Sequence, residues 1–167
     1  MKKEIVLILF KPDVIHKGLA GYVLDRFNLT GLELLAMKIV KVTKPLAEAH
    51  YGHLKGQAFF GDIVNYLQGT LHGREKVIAL VYEGPRAISV CRKVAGATNP
   101  ENAQPKSIRG SLGRVTTKGV YENLVHVSSD HKEARREIAL WFSPEEIGKD
   151  IYPIKIEKKL SSKKGWK

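Results

Sequence analysis

Six consecutive apolar residues, Ile5-Val-Leu-Ile-Leu-Phe10, set the strongest limit on how this chain can fold. A short unbroken run of this kind is the mark of a strand covered on both faces, because neither side of it meets water. A second such run spans residues 77–82. Between them, residues 19–29 carry apolar positions at 19, 20, 23, 24 and 27, the stripe of an amphipathic helix. After Gly31, residues 32–42 are rich in Leu, Ile and Val and predict another strand. Residues 45–67 predict two short helices joined by a loop around 55–58, followed by a glycine-bounded turn at 69–73.

The second half repeats the alternation. Pro85 stands at a plausible first position of a helix running to Ala95, with Ile88, Cys91, Val94 and Ala95 facing the core. Residues 96–122 form a polar stretch rich in Gly, Pro, Thr and Asn, too long for an idle connection in so small a chain. Residues 124–127 predict a fourth strand and residues 130–142 the last major helix. The order β-α-β, helical insertion, β-α-β is that of an α/β (α+β) sandwich. It predicts a ferredoxin-like double split βαβ with a four-stranded antiparallel sheet and an inserted helical hairpin.

The 167 residues predict one domain over 1–150 and a lysine-rich extension over 151–167. The net charge of +11 is concentrated there, with six lysines after Ile154 against Glu157. The extension is expected to be a mobile, solubilising segment in preference to a nucleic-acid arm. The remaining positive charge suits a protein whose ligands are polyanions. No stretch reaches transmembrane length. The apolar N-terminal run stops at Lys11, too soon for a signal peptide. The lone Cys91 cannot form an internal disulfide, so a cytoplasmic setting is expected.

Chemistry concentrates around Asn123-Leu-Val-His126-Val-Ser128. Asp130 can cap the following helix, with Glu133 completing an acidic capping box. Ala134, Ile138 and Trp141 form that helix's core stripe, and Glu137 lies on the stripe. A carboxylate there needs a partner, since leaving a buried polar group unpaired costs about 1–3 kcal/mol. His126 is the nearest candidate, and the pair alone reads equally well as a structural contact. Lys11-Pro12-Asp13 ends the first strand, where ligands gather in α/β folds. Arg92, Thr98-Asn99-Pro100 and Ser107-Ile108-Arg109-Gly110 add hydroxyl and guanidinium groups suited to phosphate. There is neither a P-loop nor a dinucleotide-binding glycine fingerprint. His50, Tyr51 and His53 lack a cysteine or carboxylate at ligand spacing, so no protein-bound metal is expected.

These motifs together resemble the nucleoside diphosphate kinase family. The resemblance is carried by Lys11-Pro-Asp, Arg26-Phe27, Ala36-Met37-Lys38, His50-Tyr51, Phe59-Phe60, Glu83-Gly84, Gly96-Ala-Thr98-Asn-Pro, Ile108-Arg-Gly, Asn123-Leu-Val-His126, Ser128, Glu137-Ile and Trp141-Phe142, in family order. It implies that His126 accepts the γ-phosphoryl group of a nucleoside triphosphate and passes it to a diphosphate, with Glu137 and Ser128 assisting the imidazole. It implies that Lys11 and Tyr51 contact the transferred group and that Lys11 and Asn123 reach the ribose. Arg92, Thr98 and Arg109 would hold the other phosphates, and Phe59 and Val120 would sandwich the base. Mg²⁺ would arrive with the phosphates, with few or no direct protein ligands. The family further implies a homo-oligomer, hexamer or tetramer. An ordinary histidine pKa of about 6.5 leaves such an imidazole largely neutral and nucleophilic.

The chain departs from the family at Val14, Gln57-Ala58, Val127 and Ser129, and carries extra residues around 71–75 and between Arg109 and Asn123. Val127 is expected to crowd the approach to His126. Strict strand alternation would also place Asn123 and His126 on opposite faces, so one site needs either a bend between them or a strand that begins after Asn123.

Overall fold

The structure is a computed structural model and describes residues 3–154. In chain order its first half holds β1 (Lys3–Phe10), α1 (Pro12–His16), α2 (Ala20–Asn28), β2 (Glu33–Lys41), α3 (Lys44–His50) and α4 (Phe60–Gln68). Then follow β3 (Lys76–Pro85), α5 (Ala87–Ala95), α6 (Ile108–Leu112), β4 (Arg114–Val115), β5 (Tyr121–Glu122), β6 (Val125–Val127) and α7 (His131–Trp141). The main sheet has the order β2-β3-β1-β6 with every pairing antiparallel, and β4 and β5 form a separate small hairpin. This is the expected ferredoxin-like sheet, with α3 and α4 as the inserted hairpin.

The apolar run of β1 is unbroken because two cores meet on it. Val6, Ile8 and Phe10 pack on Val23 and Phe27 of α2 and on Ala87 and Cys91 of α5. Leu7 and Leu9 point the other way, onto Ala47 of α3, Val64 and Leu67 of α4, and Ile138 and Trp141 of α7. Each large apolar side chain buried in this way stabilises the fold by about 1.5–3 kcal/mol. Among the described residues no helix is long and apolar enough to cross a membrane.

Several expectations shift on the structure. Strand β3 stays paired to β1 as far as Pro85, so Pro85 does not open the following helix; Arg86, at φ 54°, turns the chain and α5 begins at Ala87. The polar stretch 96–122 contains a short 3-10 turn at Pro100–Asn102, α6 and the β4–β5 hairpin. Asp130 does cap α7, accepting from the Glu133 amide at 2.9 Å. The return bond of a capping box is missing, because the Glu133 carboxylate is bound by Arg136 at 2.7 Å and 3.0 Å. From residue 155 onward the lysine-rich extension lies outside the described residues.

Candidate active site

Strand β6 begins at Val125, one residue later than its apolar pattern suggests, because Leu124 adopts φ 61°. The amide of Val125 donates to the Asn123 carbonyl at 2.6 Å, closing a γ-turn around Leu124. A bulky residue in this region is rare and costs on the order of 1–3 kcal/mol. Two contacts hold it there: the Leu124 amide donates to Asp13 Oδ2 at 3.0 Å, and its carbonyl accepts from the Lys11 amide at 2.8 Å. Asp13 is fully buried, and the same oxygen accepts from the Tyr66 hydroxyl at 2.7 Å. The bend brings Asn123 back beside the cavity that His126 borders, which removes the alternation conflict.

Beyond the bend, alternation sorts the strand. Val125 and Val127 enter the core with Ala134, while His126 turns to the opposite face. Val127 is 5% exposed, packs in that core and also borders the cavity. His126 Nε2 lies 2.9 Å from Glu137 Oε1, within ion-pair distance but off the line of a well-aligned N–H···O bond. Glu137 Oε2 accepts from the Ser128 hydroxyl at 2.6 Å, and Ser128 Oγ in turn accepts from the Leu7 amide at 3.1 Å. Burial raises the Glu137 pKa. Burial, with Lys11 and Arg109 nearby, holds His126 well below its ordinary value. The imidazole is therefore neutral, with Nε2 buried against the carboxylate and Nδ1 the nitrogen a ligand can reach.

One cavity of about 710 Å³ gathers most of the expected residues: Lys11, Tyr51, Phe59, Arg92, Thr98, Arg109, Val120, His126 and Glu137. Asn123 and Ser128 stand behind its wall. Asn123 accepts from Lys11 Nζ at 2.6 Å, donates to the Thr98 carbonyl at 2.9 Å and accepts from Arg109 Nε at 3.2 Å through its own carbonyl. It thereby sets three of the groups that do face the cavity. Arg109 also donates to the carbonyls of Gly96 and Val125, each at 2.7 Å. A guanidinium has five N–H groups, so one on each terminal nitrogen is left for a ligand. Burial and the nearby Arg92 lower the Arg109 pKa to about 10. Lys11, 6% exposed and 5.0 Å above the Tyr66 ring, is lowered to about 7 by burial and then by Arg109. Phe59 caps the start of α4 and is 48% exposed, and Val120, just before β5, lines the same cavity.

Sequence reasoning missed the part played by His50. It is fully buried, its ring 4.4 Å edge-on from that of His126. Nitrogens of the two histidines and a Glu137 oxygen lie within 4.8 Å of one another, a spacing a metal ion could span. Trp141 Nε1, which can only donate, donates to His50 Nδ1 at 3.2 Å. Burial keeps His50 neutral, its pKa well below the ordinary value, so its single proton is on Nε2. A protonated nitrogen cannot ligate a metal, and the arrangement instead presents an N–H toward His126 and Glu137. His50 follows buried Ala47 by three residues on the same face of α3, the one sequence pattern that could have marked it.

A model of the nucleoside diphosphate kinase family matches residues 4–147. The chain belongs to the nucleoside diphosphate kinase family. A nucleoside diphosphate kinase of Desulfitobacterium hafniense is 41% identical over 144 residues, which cover 86% of this chain and 91% of that one. A transition-state mimic of the Borrelia burgdorferi enzyme, with bound vanadate and ADP, superposes at a TM-score of 0.77 with 30% identity, covering 93% of each chain. The Halobacterium salinarum enzyme in complex with CDP gives a TM-score of 0.79 at 29% identity, covering 94% of this chain and 95% of that one. These relatives make the chain a member of a family of phosphotransferases with the same fold.

Proposed function

We propose that the chain carries the γ-phosphoryl group of a nucleoside triphosphate to a nucleoside diphosphate through a phosphohistidine at His126. The observation that carries this reading is the neutral imidazole set between Glu137 and a cavity walled by Lys11, Arg92 and Arg109. In the first half-reaction the Nδ1 lone pair attacks the γ-phosphorus and the bond to the β-bridging oxygen breaks, releasing the diphosphate with the electron pair. The ring takes on positive charge, and its Nε2 proton is shared with the Glu137 carboxylate. A second diphosphate then attacks the phosphohistidine in reverse, giving ping-pong kinetics. Lys11, Arg92 and Arg109 offset charge on the phosphoryl oxygens, the main requirement of this chemistry. Tyr51 and Thr98 supply further contacts, Ser128 holds Glu137, and Asn123 holds Lys11 beside the ribose.

Phe59 and Val120 are the two faces between which a base fits; stacking reads no base edge and so tolerates many nucleotides. Magnesium enters as part of the substrate. The cavity wall offers few carboxylates, Asp62 and Glu133 besides Glu137, which agrees with an ion held mainly by phosphates. A homo-oligomer is part of the proposal: β2 is an edge strand, with Leu34, Met37 and Ile39 exposed along it. A reducing cytoplasm suits the lone Cys91, which is buried.

The test is incubation with γ-labelled ATP and magnesium, followed by acid and alkali treatment. The expected product is an acid-labile, alkali-stable phosphoprotein that a nucleoside diphosphate discharges, and that His126→Ala abolishes. A wild-type chain that never labels, or a variant that labels equally, rejects the reading.

A further inference from the structure

The turn after α4 and the β4–β5 hairpin touch each other through two buried side chains, His72 and Glu122. Helix α4 ends at Gly69, whose φ of 84° and closeness to the Arg74 carbonyl (1.8 Å from any added Cβ) permit only glycine. The chain folds back there, with the amides of His72 and Arg74 donating to the Gly69 carbonyl at 3.1 Å and 3.2 Å. This tight turn buries the His72 side chain, which is 6% exposed, against the rings of His16 and Tyr66. Its Nε2 donates to Glu122 Oε1 at 3.2 Å, on β5 of the hairpin.

Glu122 is the hub of this contact. Its carboxylate is 2% exposed and accepts from Arg114 Nε at 2.6 Å and from an Arg114 terminal nitrogen at 2.9 Å, with Lys17 Nζ 3.4 Å away. The Arg114 bond, with Lys17 and His72 helping, holds its pKa down to about 2. A carboxylate so ionised accepts only, so the Nε2–H tautomer of His72 is the one that fits. His72 does not border the large cavity. The two elements it joins do: Phe59 at the cap of α4 with Ile63 and Tyr66 on it, and Val120 with Tyr121 of the hairpin, all line that cavity.

We infer that His72 is a positioning residue that ties α4 to the β4–β5 hairpin and so sets the width of the slot between Phe59 and Val120 that receives the nucleotide base. The inference rests on the nucleotide reading above and deepens it. The tie itself touches none of His126, Lys11 and Arg109, although the Tyr66 ring on which His72 packs also lies beneath Lys11. Acting through the two elements it joins, it governs first how tightly a base is gripped, ahead of phosphate contacts and transfer. Holding the slot at its bound width before the ligand arrives is preorganisation, which adds affinity without adding a ligand contact.

Three variants test it: His72→Ala, which removes the side chain; His72→Phe, which keeps a ring against His16 and Tyr66 but loses the N–H; and His72→Gln, whose amide can restore a donor to Glu122. Calorimetric affinities for ADP and for inorganic tripolyphosphate are compared, together with KM and kcat for the diphosphate acceptor. His72→Ala and His72→Phe are expected to weaken ADP binding and raise KM by about fivefold to tenfold. Tripolyphosphate affinity and kcat should stay within about twofold of wild type, and His72→Gln should recover most of the ADP affinity. Equal weakening of ADP and tripolyphosphate, or unchanged ADP affinity in His72→Phe, overturns the inference. If His72→Ala does not fold, His72→Phe and His72→Gln still decide it. A wild-type chain that prefers ADP over tripolyphosphate yet never labels at His126 rejects phosphoryl transfer alone, and the His72 comparison still reads the slot.

Discussion

Lys11 occupies a buried position beside Arg109 with its ammonium bonded to a neutral amide, and this combination brings its pKa down to about 7. Between that value and the ordinary lysine range the empty site carries less than a full charge at this position. A bound polyanion draws the proton back, so binding takes up a proton and affinity falls as pH rises above about 7. Through this group alone the fall approaches about tenfold per pH unit until the bound-state pKa is reached. Calorimetry of ADP binding in buffers of different ionisation enthalpy should detect the proton uptake, and Lys11→Met should flatten the pH dependence while lowering affinity. His126 behaves in the opposite sense. Its pKa is depressed and the neutral form is the nucleophile, so the acid limb of the labelling rate should lie below the usual histidine range. The sequence marked His126, Glu137 and Lys11 because each interrupts an apolar pattern or ends one. It could not mark the Trp141 bond to His50, which spans 91 residues and depends on how two helices cross.

At the scale of elements, the site depends on a turn and two short helices that leave no periodic trace. Helices α1 and α6 have five residues each, set by Pro12 at one start and the Ser107 cap at the other, where a stripe has no room to repeat. For the same reason the β4–β5 hairpin was legible only as a polar stretch. The long strands and α7 were legible, since burial on one or both faces dictates their composition over eight or more residues. The Leu124 turn was legible only as a conflict, since alternation required a bend without saying where. Asp13→Ala tests that bend by leaving the Leu124 amide and the Tyr66 hydroxyl without their shared acceptor. Each loss costs about 1–3 kcal/mol, and the chain near Leu124 should relax toward negative φ. Thermal unfolding should show a lowered midpoint, and labelling of His126 should slow by about tenfold or more, beyond what the loss of folded chain accounts for.

Across the whole molecule, the sheet order follows from which strands are covered. β1 lies between β3 and β6 and is buried on both faces, whereas β2 alternates and ends the sheet. Its outer edge carries Ile39 at 68% exposure and Met37 at 53%, so the double substitution Met37→Lys, Ile39→Lys should dissociate the proposed homo-oligomer. Size-exclusion chromatography with light scattering measures this; a wild-type chain that runs as a monomer at micromolar concentration removes the oligomer from the proposal. The cations of the cavity have a separate consequence. Lys11, Arg92 and Arg109 converge on one cavity, and burial first, then their mutual repulsion, lowers the pKa values of Lys11 and Arg109. A fold that binds a polyanion among these cations is most stable when that polyanion is present, by an amount that grows with the logarithm of its concentration. The supply of nucleotide is thus expected to set how long the chain survives heat and proteolysis.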